Sequence, residues 1–319
     1  QWHDIPDADV PAICRQATDE LAPQVQHDIL MSNAYFAQIK ERLIQTLTRT
    51  VRRLSAFSAV SDFHMEGLEK SFGRPGSPWE ALRFTLKNGL QVVVTGQIDR
   101  IDTLRQGDHK YVVIIDYKSG RKQLDISQIF TGLELQLLTY MFVALLNIGG
   151  DAIPAAVLYC YVRNDKVSLE YRVSEEDKKK LYDAKGKLTG FYLDDGQVMQ
   201  QLDTSMQGFS DFLNLRLKKD GTLSDSSHTL YNEAGWSHLL DWAARQIRDI
   251  AGHIGDGDIS IHPILMGQQA PCSYCPYRPV CRFDVAVAGN TYDAAGREET
   301  DGMIQKMFDE GDDEHGLDE

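Results

Sequence analysis

The sequence predicts an α/β fold, in which helices flank a mixed central sheet and a cysteine-cluster segment follows near the C-terminus. Apolar runs typical of strands begin near Phe63, after a long stretch with helical periodicity. A strongly apolar helical run, Ile126 to Leu146, separates two of these strands. This order of elements is typical of helices packed against a mixed sheet. Three of the five cysteines, Cys272, Cys275 and Cys281, then fall together late in the chain.

Composition is that of a globular protein with room for one large domain or two small ones. The chain has 319 residues, of which 42% are hydrophobic and 25% charged. No apolar run approaches the ~20 residues that span a bilayer, and the first residues lack the basic-then-apolar pattern of a signal peptide. The first residue is Gln1 rather than Met, which we interpret as a piece of a longer protein. The few, clustered cysteines favour an intracellular protein, and we expect no membrane partner.

The net charge of −14 does not by itself exclude a nucleic-acid partner. Seven acidic residues and no Lys or Arg fall in Asp309 to Glu319, so the rest of the chain carries −7. A basic run lies in the N-terminal helical stretch, and a solvated helix face is its simplest interpretation. The run contains Lys40, Arg42, Arg49, Arg52 and Arg53.

The first elements are predicted to be helical and then extended. Apolar residues recur every three or four positions from about Asp9 to Phe57, and Pro23 is placed to start a helix. A strand is predicted from Phe63 to Phe72. Ala81 to Leu86 then forms a hairpin around Lys87-Asn88-Gly89, because Asn-Gly strongly favours a tight turn.

The next hairpin carries the candidate chemistry. Its strands are Gly96-Gln-Ile-Asp-Arg-Ile-Asp102, with Val92 to Val94 leading in, and Tyr111 to Ile115, which continues as Asp-Tyr-Lys-Ser-Gly120. The polar stretch Arg105 to Lys110 is the predicted loop. A turn centred between Gly107 and Asp108 places Asp99 opposite Asp116, with Lys118 on the same face. Two opposed carboxylates repel each other, so this pair favours a divalent cation.

The remaining elements complete a mixed sheet with helices. The apolar helix is stopped by Gly149 and Gly150, and it places Gln136 and Tyr140 one turn apart on one face. The later predictions are a strand at Ile153 to Val162 with a partner at Val167 to Val173, a charged helix at Lys178 to Lys187, an irregular segment at Phe191 to Met206, a strand pair at Leu213 to Leu223, and an amphipathic helix at Tyr231 to Ile254. No phosphate-cradling G-x-x-x-x-G-K-[ST] loop is present, so ATP hydrolysis by these residues is not expected.

The late cysteines have the spacing of a metal site. Cys272, Cys275 and Cys281 form C-x2-C-x5-C, which needs a fourth ligand to close a zinc or iron–sulfur site. Cys14 is a candidate for that ligand, whereas Cys160 lies in an apolar strand and is interpreted as an inert buried thiol. Spacing alone leaves zinc and iron–sulfur open.

These motifs resemble the RecB-type nuclease family of the PD-(D/E)XK superfamily. The resemblance rests on Gly96 to Asp102, Ile115 to Gly120 and Gln136-Leu-Leu-Thr-Tyr140, and the cysteine motif followed by Arg-Phe-Asp284 matches the iron–sulfur branch. A closer similarity is to the C-terminal nuclease domains of AddB-type helicase–nuclease subunits. It rests on the following segments: Leu21-Ala-Pro23, Ile29-Leu30, Glu69-Lys-Ser-Phe-Gly73 and Gly190-Phe-Tyr-Leu-Asp-Asp195.

The resemblance implies a role for each candidate residue. Asp99, Asp116 and the backbone carbonyl of Tyr117 would hold Mg²⁺, and Lys118 would orient water or stabilise charge on the phosphate. Gln136 and Tyr140 would position the substrate backbone. Cys272, Cys275 and Cys281 would hold a 4Fe-4S cluster, with zinc as the alternative. The family's first cluster cysteine and a metal-shell histidine are expected upstream of this chain, with Cys14, His27 and His64 as stand-ins.

The resemblance also implies an organisation and a function. Residues 1–60 would form a helical segment on a restriction-endonuclease-like nuclease core at 61–285, which includes an iron–sulfur segment at 271–284. Residues 286–319 would form a flexible acidic tail. The function implied is Mg²⁺-dependent exonuclease action on the 5′-terminated strand during double-strand-break resection and recombinational repair. The partners would be single-stranded DNA, duplex ends and an AddA-type subunit, in the cytoplasm at the nucleoid. The alternatives are a free-standing RecB-like or CRISPR-associated exonuclease and a non-catalytic, cluster-stapled DNA-binding scaffold.

Overall fold

A computed structural model describes residues 4–120, 124–162, 174, 177, 185–224, 228–267, 270–295 and 300–312. The helices of these ranges are α1 (Val10–Leu21), α2 (Ala34–Ala59), α3 (Ile126–Phe130), α4 (Gln136–Ile148), α5 (Gly196–Leu202), α6 (Glu233–Gly255), α7 (Arg278–Cys281) and α8 (Thr300–Asp312). The strands are β1 (His64–Phe72), β2 (Leu82–Thr85), β3 (Gln91–Val94), β4 (Gly96–Gln106), β5 (His109–Lys118), β6 (Ala152–Tyr161), β7 (Thr189–Leu193), β8 (Leu230–Tyr231), β9 (Ile264–Met266) and β10 (Asp293–Ala295).

A mixed sheet is the centre of the fold, which confirms the predicted fold class. Within the described ranges, six strands pair in the order β1-β4-β5-β6-β7-β8. The β4–β5 and β6–β7 pairs are antiparallel, whereas the β5–β6 and β7–β8 pairs are parallel. Residues Val112 to Ile115 of β5 are fully buried, as expected for a strand covered on both faces.

The chain divides into two compact units, and the sheet belongs to the first. This unit contains Gln1–Lys70, Gln97–Gln123 and Ile148–Asn232. Its long helix α2 begins after Asn33, whose side chain accepts hydrogen bonds from the backbone N–H groups of Tyr35 and Phe36. Further along α2, Arg53 donates to the backbone carbonyls of Gly186 and Asp211, which fixes the helix to the chain around β7.

Gly190 in β7 is required by a close approach of two strands. A Cβ added at this position would lie 1.9 Å from the backbone carbonyl oxygen of Val157 in β6. Any side chain here would therefore force β7 away from its neighbour. This requirement gives a physical reason for the glycine in the segment Gly190 to Asp195.

The second unit contains Ser71–Gly96, Leu124–Asn147 and Glu233–Glu319. Its core forms where α6 meets the short helix α3: the Phe130 and Trp242 rings stack at 5.1 Å, and the Trp242 indole N–H donates to the carbonyl of Ile129. The hairpin of β2 and β3 also belongs to this unit. Each unit combines separated stretches of chain, so the units do not correspond to the predicted segments 1–60, 61–285 and 286–319. The division at residues 60 and 285 stays a prediction.

Several element boundaries differ from the sequence predictions. The predicted helix at 126–146 is interrupted, because Gly132 adopts φ +73° between α3 and α4. The N-terminal helical stretch is interrupted between α1 and α2, where three consecutive non-glycine residues, Gln26 to Asp28, have positive φ. Val92 to Val94 forms β3 in a separate hairpin rather than leading directly into β4. The predicted irregular segment at 191–206 instead contains the end of β7 and helix α5.

The later segments show three further outcomes. The predicted strand pair at 213–223 is reduced to an isolated bridge between Leu217 and Leu223. Within the predicted flexible tail, α8 is folded and buries Met303 and Met307, whose four-residue spacing places both on one face. The predicted strand at 167–173 and most of the predicted helix at 178–187 lie outside the described residues. In the part of the chain that is described, no helix is long and apolar enough to cross a membrane.

Candidate active site

The hairpin of β4 and β5 has the register that the sequence predicts. Its pairs run from Gln106↔His109 to Arg100↔Ile115. The loop is shorter than predicted, because Gly107 and Asp108 alone make the turn and the polar residues on either side remain in the strands. The pairing ends at Arg100, so Asp99 and Asp116 come directly after the last ladder pair, opposite each other.

Asp99 closes the end of this ladder. Its Oδ2 atom accepts a hydrogen bond of 2.9 Å from the backbone N–H of Tyr117. The carboxylate is half-buried. It accepts the hydrogen bond that a backbone carbonyl of β4 would accept if the ladder continued, and so it satisfies the Tyr117 N–H. Asp99 is consequently held against the peptide bond that joins Asp116 to Tyr117.

Asp116 and Lys118 form an ion pair beside Asp99. Lys118 Nζ lies 2.6 Å from Asp116 Oδ2, and the exposed fractions of their side chains are 23% and 2%. Tyr159 of β6 pairs with Asp116 in the parallel register, and Lys118 Nζ lies 5.6 Å from the centre of its ring. The aromatic face therefore adds a second attraction that holds the ammonium group at this end of β5. Sequence reasoning did not identify Tyr159, since nothing local distinguishes it from other apolar residues of a buried strand.

On the opposite face of the sheet, burial raises the pKa of two titratable side chains, Tyr117 of β5 and Cys160 of β6. Burial raises the pKa of the Tyr117 phenol to about 12, although the charge of Arg100 acts in the other direction. Burial likewise raises the pKa of the Cys160 thiol to about 12. The Cys160 thiol thus stays protonated near neutral pH, in agreement with its interpretation as an inert buried group.

Gln136 and Tyr140 lie on the first turns of α4, in the second unit. The Gln136 amide donates a hydrogen bond of 2.9 Å to the Tyr140 hydroxyl, and both side chains are half-buried. The Tyr140 ring meets Phe72 edge-on, with centroids 6.1 Å apart. A Cβ at Gly96 would lie 2.7 Å from that Phe72 ring, which explains the glycine that opens β4. The two residues form one polar pair, and their action together with Asp99 and Asp116 stays a prediction.

The oxygen donors of the hairpin suit a magnesium ion that has few protein ligands. Within the described ranges, no group of three or more His, Cys, Asp and Glu side chains is placed to hold a metal, so His27 and His64 complete no such group. Mg²⁺ is usually bound by one or two carboxylates, together with waters and substrate phosphates. The two carboxylates of Asp99 and Asp116, on adjoining strand ends, meet that smaller requirement.

The cysteine segment offers suitable donors that are not gathered at one point. Cys272 and Cys275 are half-buried, Cys281 is exposed at the end of α7, and none of the three is in a disulfide. Thiolates are suitable ligands for an iron–sulfur cluster. Among the described residues, however, these three cysteines do not form a group that could hold a metal. Cys14 is buried within α1, in the first unit. The iron–sulfur assignment and the ligand role of Cys14 therefore stay predictions.

Three of the five basic residues in the run of α2 contact other parts of the chain. Lys40 lies 2.8 Å from Asp19, and Arg52 lies 2.8 Å from Asp7. Arg53 is directed at backbone carbonyls, as described above. The predicted solvated helix face thus holds only in part, because the Lys40 side chain is largely buried and Arg53 is partly buried against other parts of the chain.

Comparison with known proteins shows the family to which the chain belongs. The family described as the PD-(D/E)XK nuclease superfamily matches residues 1–282. Similar proteins, each named as one subunit of an ATP-dependent helicase/deoxyribonuclease, occur in Moorella thermoacetica (36% identity, 92% of this chain and 26% of the relative), Bacillus subtilis (33%, 91% and 25%) and Listeria innocua (31%, 97% and 27%). The chain spans about a quarter of the length of these relatives. By its hairpin and by this match over most of its length, the chain belongs to the PD-(D/E)XK nuclease superfamily.

Proposed function

We propose that this chain is the nuclease domain of an AddB-type helicase–nuclease subunit, and that it hydrolyses DNA phosphodiester bonds with Mg²⁺. The observation that carries the proposal is the end of the hairpin, where Asp99 holds the Tyr117 N–H and Asp116 pairs with Lys118. Opposed carboxylates beside a lysine are costly to assemble and have little use in a scaffold. The relatives are named as deoxyribonuclease subunits, which supports DNA as the substrate.

Each residue has a distinct task in this proposal. Asp99, Asp116 and the Tyr117 carbonyl would hold the ion, which supplies a Lewis acid for the phosphate and an activated water. Lys118 presents a fixed positive charge where the phosphate becomes more negative during the reaction. Because Asp116 and Tyr159 both hold the Lys118 ammonium group, that charge is in place before the substrate arrives.

The finer proposal concerns the strand and the partner. We propose exonuclease action on the 5′-terminated strand, in a complex with an AddA-type helicase–nuclease subunit, during break resection at the bacterial nucleoid in the cytoplasm. This chain spans only about a quarter of the length of the relatives, and they are named as one subunit of a helicase–nuclease, which supports a partner subunit.

Digestion of end-labelled DNA tests this function. With Mg²⁺, the chain should progressively shorten single-stranded DNA, and EDTA should stop the reaction. In the complete two-subunit complex with ATP, a duplex labelled on its 5′-terminated strand should be cut on that strand. Binding of DNA without any cleavage would instead support the scaffold alternative. Full activity on duplex ends without a partner would support the free-standing exonuclease.

We further propose that Cys272, Cys275 and Cys281 take part in a 4Fe-4S cluster, with a fourth ligand that these three do not supply. The complete protein, purified without oxygen, should then be brown, with absorbance near 400 nm that Cys281→Ser removes. Cys160→Ser is the matched control, because its buried thiol should not affect the colour. A colourless protein that contains zinc would show that the alternative metal is correct.

A further inference from the structure

A buried ion pair lies directly behind the candidate active site. Arg100 Nε donates to Asp102 Oδ1 at 2.8 Å, and Arg100 NH2 donates to Asp102 Oδ2 at 2.7 Å. Both side chains are only 2% exposed. The two-point contact fixes the plane of the guanidinium group relative to the carboxylate. Arg100 is therefore held in one orientation inside the sheet.

Strand geometry places this pair on the face opposite the carboxylates. Side chains alternate along a strand, so Arg100 and Asp102 of β4 point away from the face that carries Asp99. Tyr117 of β5 likewise points away from the face of Asp116. Arg100 pairs with Ile115 in the ladder, so Tyr117, two residues further along β5, is its diagonal neighbour on this rear face.

Stability alone is a poor explanation for such a pair. Removing two charges from water is costly, and apolar residues of similar volume often replace a buried ion pair without loss of stability. What the pair does supply is a fixed position. Arg100 and Ile115 form the ladder pair farthest from the turn. Past this pair, the two strands are joined by the hydrogen bond from the Tyr117 N–H to the Asp99 carboxylate.

The Tyr117 peptide is thus fixed from both faces. Its N–H donates a hydrogen bond to Asp99, and on the rear face its side chain is the diagonal cross-strand neighbour of the oriented Arg100. We propose that Arg100, Asp102 and Tyr117 form a rear-face positioning unit, which sets the distance between the two metal-binding strand ends. This proposal rests on the proposed function only for the presence of a metal at those ends.

The test replaces the ion pair with apolar residues of similar volume. Arg100→Met combined with Asp102→Leu should leave the melting temperature within a few degrees of the original value. Hydrogen exchange of the Tyr117 amide should become about tenfold faster. The Mg²⁺ concentration for half-maximal DNA cleavage should rise about 10- to 100-fold, the usual range for residues that support metal ligands.

The matched control is the exposed pair of Arg15 and Glu41. This pair also makes a two-point contact, from the NH1 and NH2 groups of Arg15 at 3.0 and 2.6 Å, in the same unit. Arg15→Met with Glu41→Leu should change neither the Tyr117 exchange rate nor the Mg²⁺ requirement. A purely structural role for Arg100 and Asp102 would lower the melting temperature and leave the Mg²⁺ requirement of the folded protein unchanged.

The outcomes separate this proposal from the proposed function. A folded double variant with unchanged Tyr117 exchange and unchanged Mg²⁺ requirement would overturn the positioning unit. If the original chain cuts no DNA, the nuclease proposal fails, and the exchange rate of Tyr117 still decides the inference.

A single substitution decides the question should the double variant not fold. Tyr117→Phe removes only the phenol oxygen beside Arg100 and keeps the aromatic ring. Faster exchange of the backbone amide at position 117 in this variant, with a raised Mg²⁺ requirement, would support the positioning unit. No change in either quantity would overturn it.

Discussion

Asp116→Asn is expected to lower the rate of Mg²⁺-dependent DNA cleavage by about a thousandfold. Asparagine keeps the size of the side chain but removes a negative charge at a position that is 2% exposed. A catalytic metal ion contributes several kcal/mol of transition-state stabilisation. Because each 1.36 kcal/mol corresponds to about a tenfold change in rate, losing about 4 kcal/mol corresponds to a thousandfold. Steady-state release of nucleotides from single-stranded DNA measures the effect.

Asp108→Asn is the matched control for this change. Asp108 lies in the exposed turn of the same hairpin, at the end far from Asp116. The same substitution there should leave both the rate and the melting temperature nearly unchanged. Cleavage by Asp116→Asn at the original rate would refute the assignment of the active site.

Lys118→Met is expected to lower the maximal cleavage rate by about 100- to 1000-fold, with a much smaller change in the Mg²⁺ requirement. Methionine retains most of the apolar stem but removes the charge that lies 2.6 Å from Asp116 Oδ2. The loss is comparable to that of one preorganised donor at a developing negative charge. The rate as a function of Mg²⁺ concentration separates this effect from that of Asp116→Asn.

Lys110→Met serves as the control on the same strand. Lys110 is only partly buried and pairs with Glu66 at 3.2 Å, near the turn. Its replacement should have little effect on cleavage. If Lys118→Met instead shifts the Mg²⁺ requirement as strongly as the rate, Lys118 acts mainly through the metal ligands and not on the phosphate.

The hairpin could be predicted from sequence because its determinants are local. A two-residue turn fixes the register, and the period of two then fixes the face on which Asp99, Asp116 and Lys118 lie. The same reasoning failed at 105–110, since polar residues also occupy strand positions that face solvent. It failed at 126–146 as well, because a single glycine in an apolar run did not reveal that the backbone turns there.

The supporting residues could not be predicted, because their roles depend on distant parts of the chain. Tyr159 contributes through its register with Asp116, which requires the parallel pairing of β5 and β6. Arg100 and Asp102 are adjacent on one face of β4. The sequence offered one indication of their role, because both are charged residues within an otherwise buried strand. Their burial, however, depends on the packing of the whole rear face, which no local pattern specifies.

Binding of a divalent ion by the hairpin is the most direct test of the account. Mn²⁺ can be titrated into the chain and followed by electron paramagnetic resonance, without any DNA. We expect the original chain to bind Mn²⁺, and we expect Asp99→Asn with Asp116→Asn to remove this binding while the protein stays folded. Undiminished Mn²⁺ binding by the folded double variant would show that the metal site lies elsewhere and would refute the assignment of Asp99 and Asp116 as metal ligands.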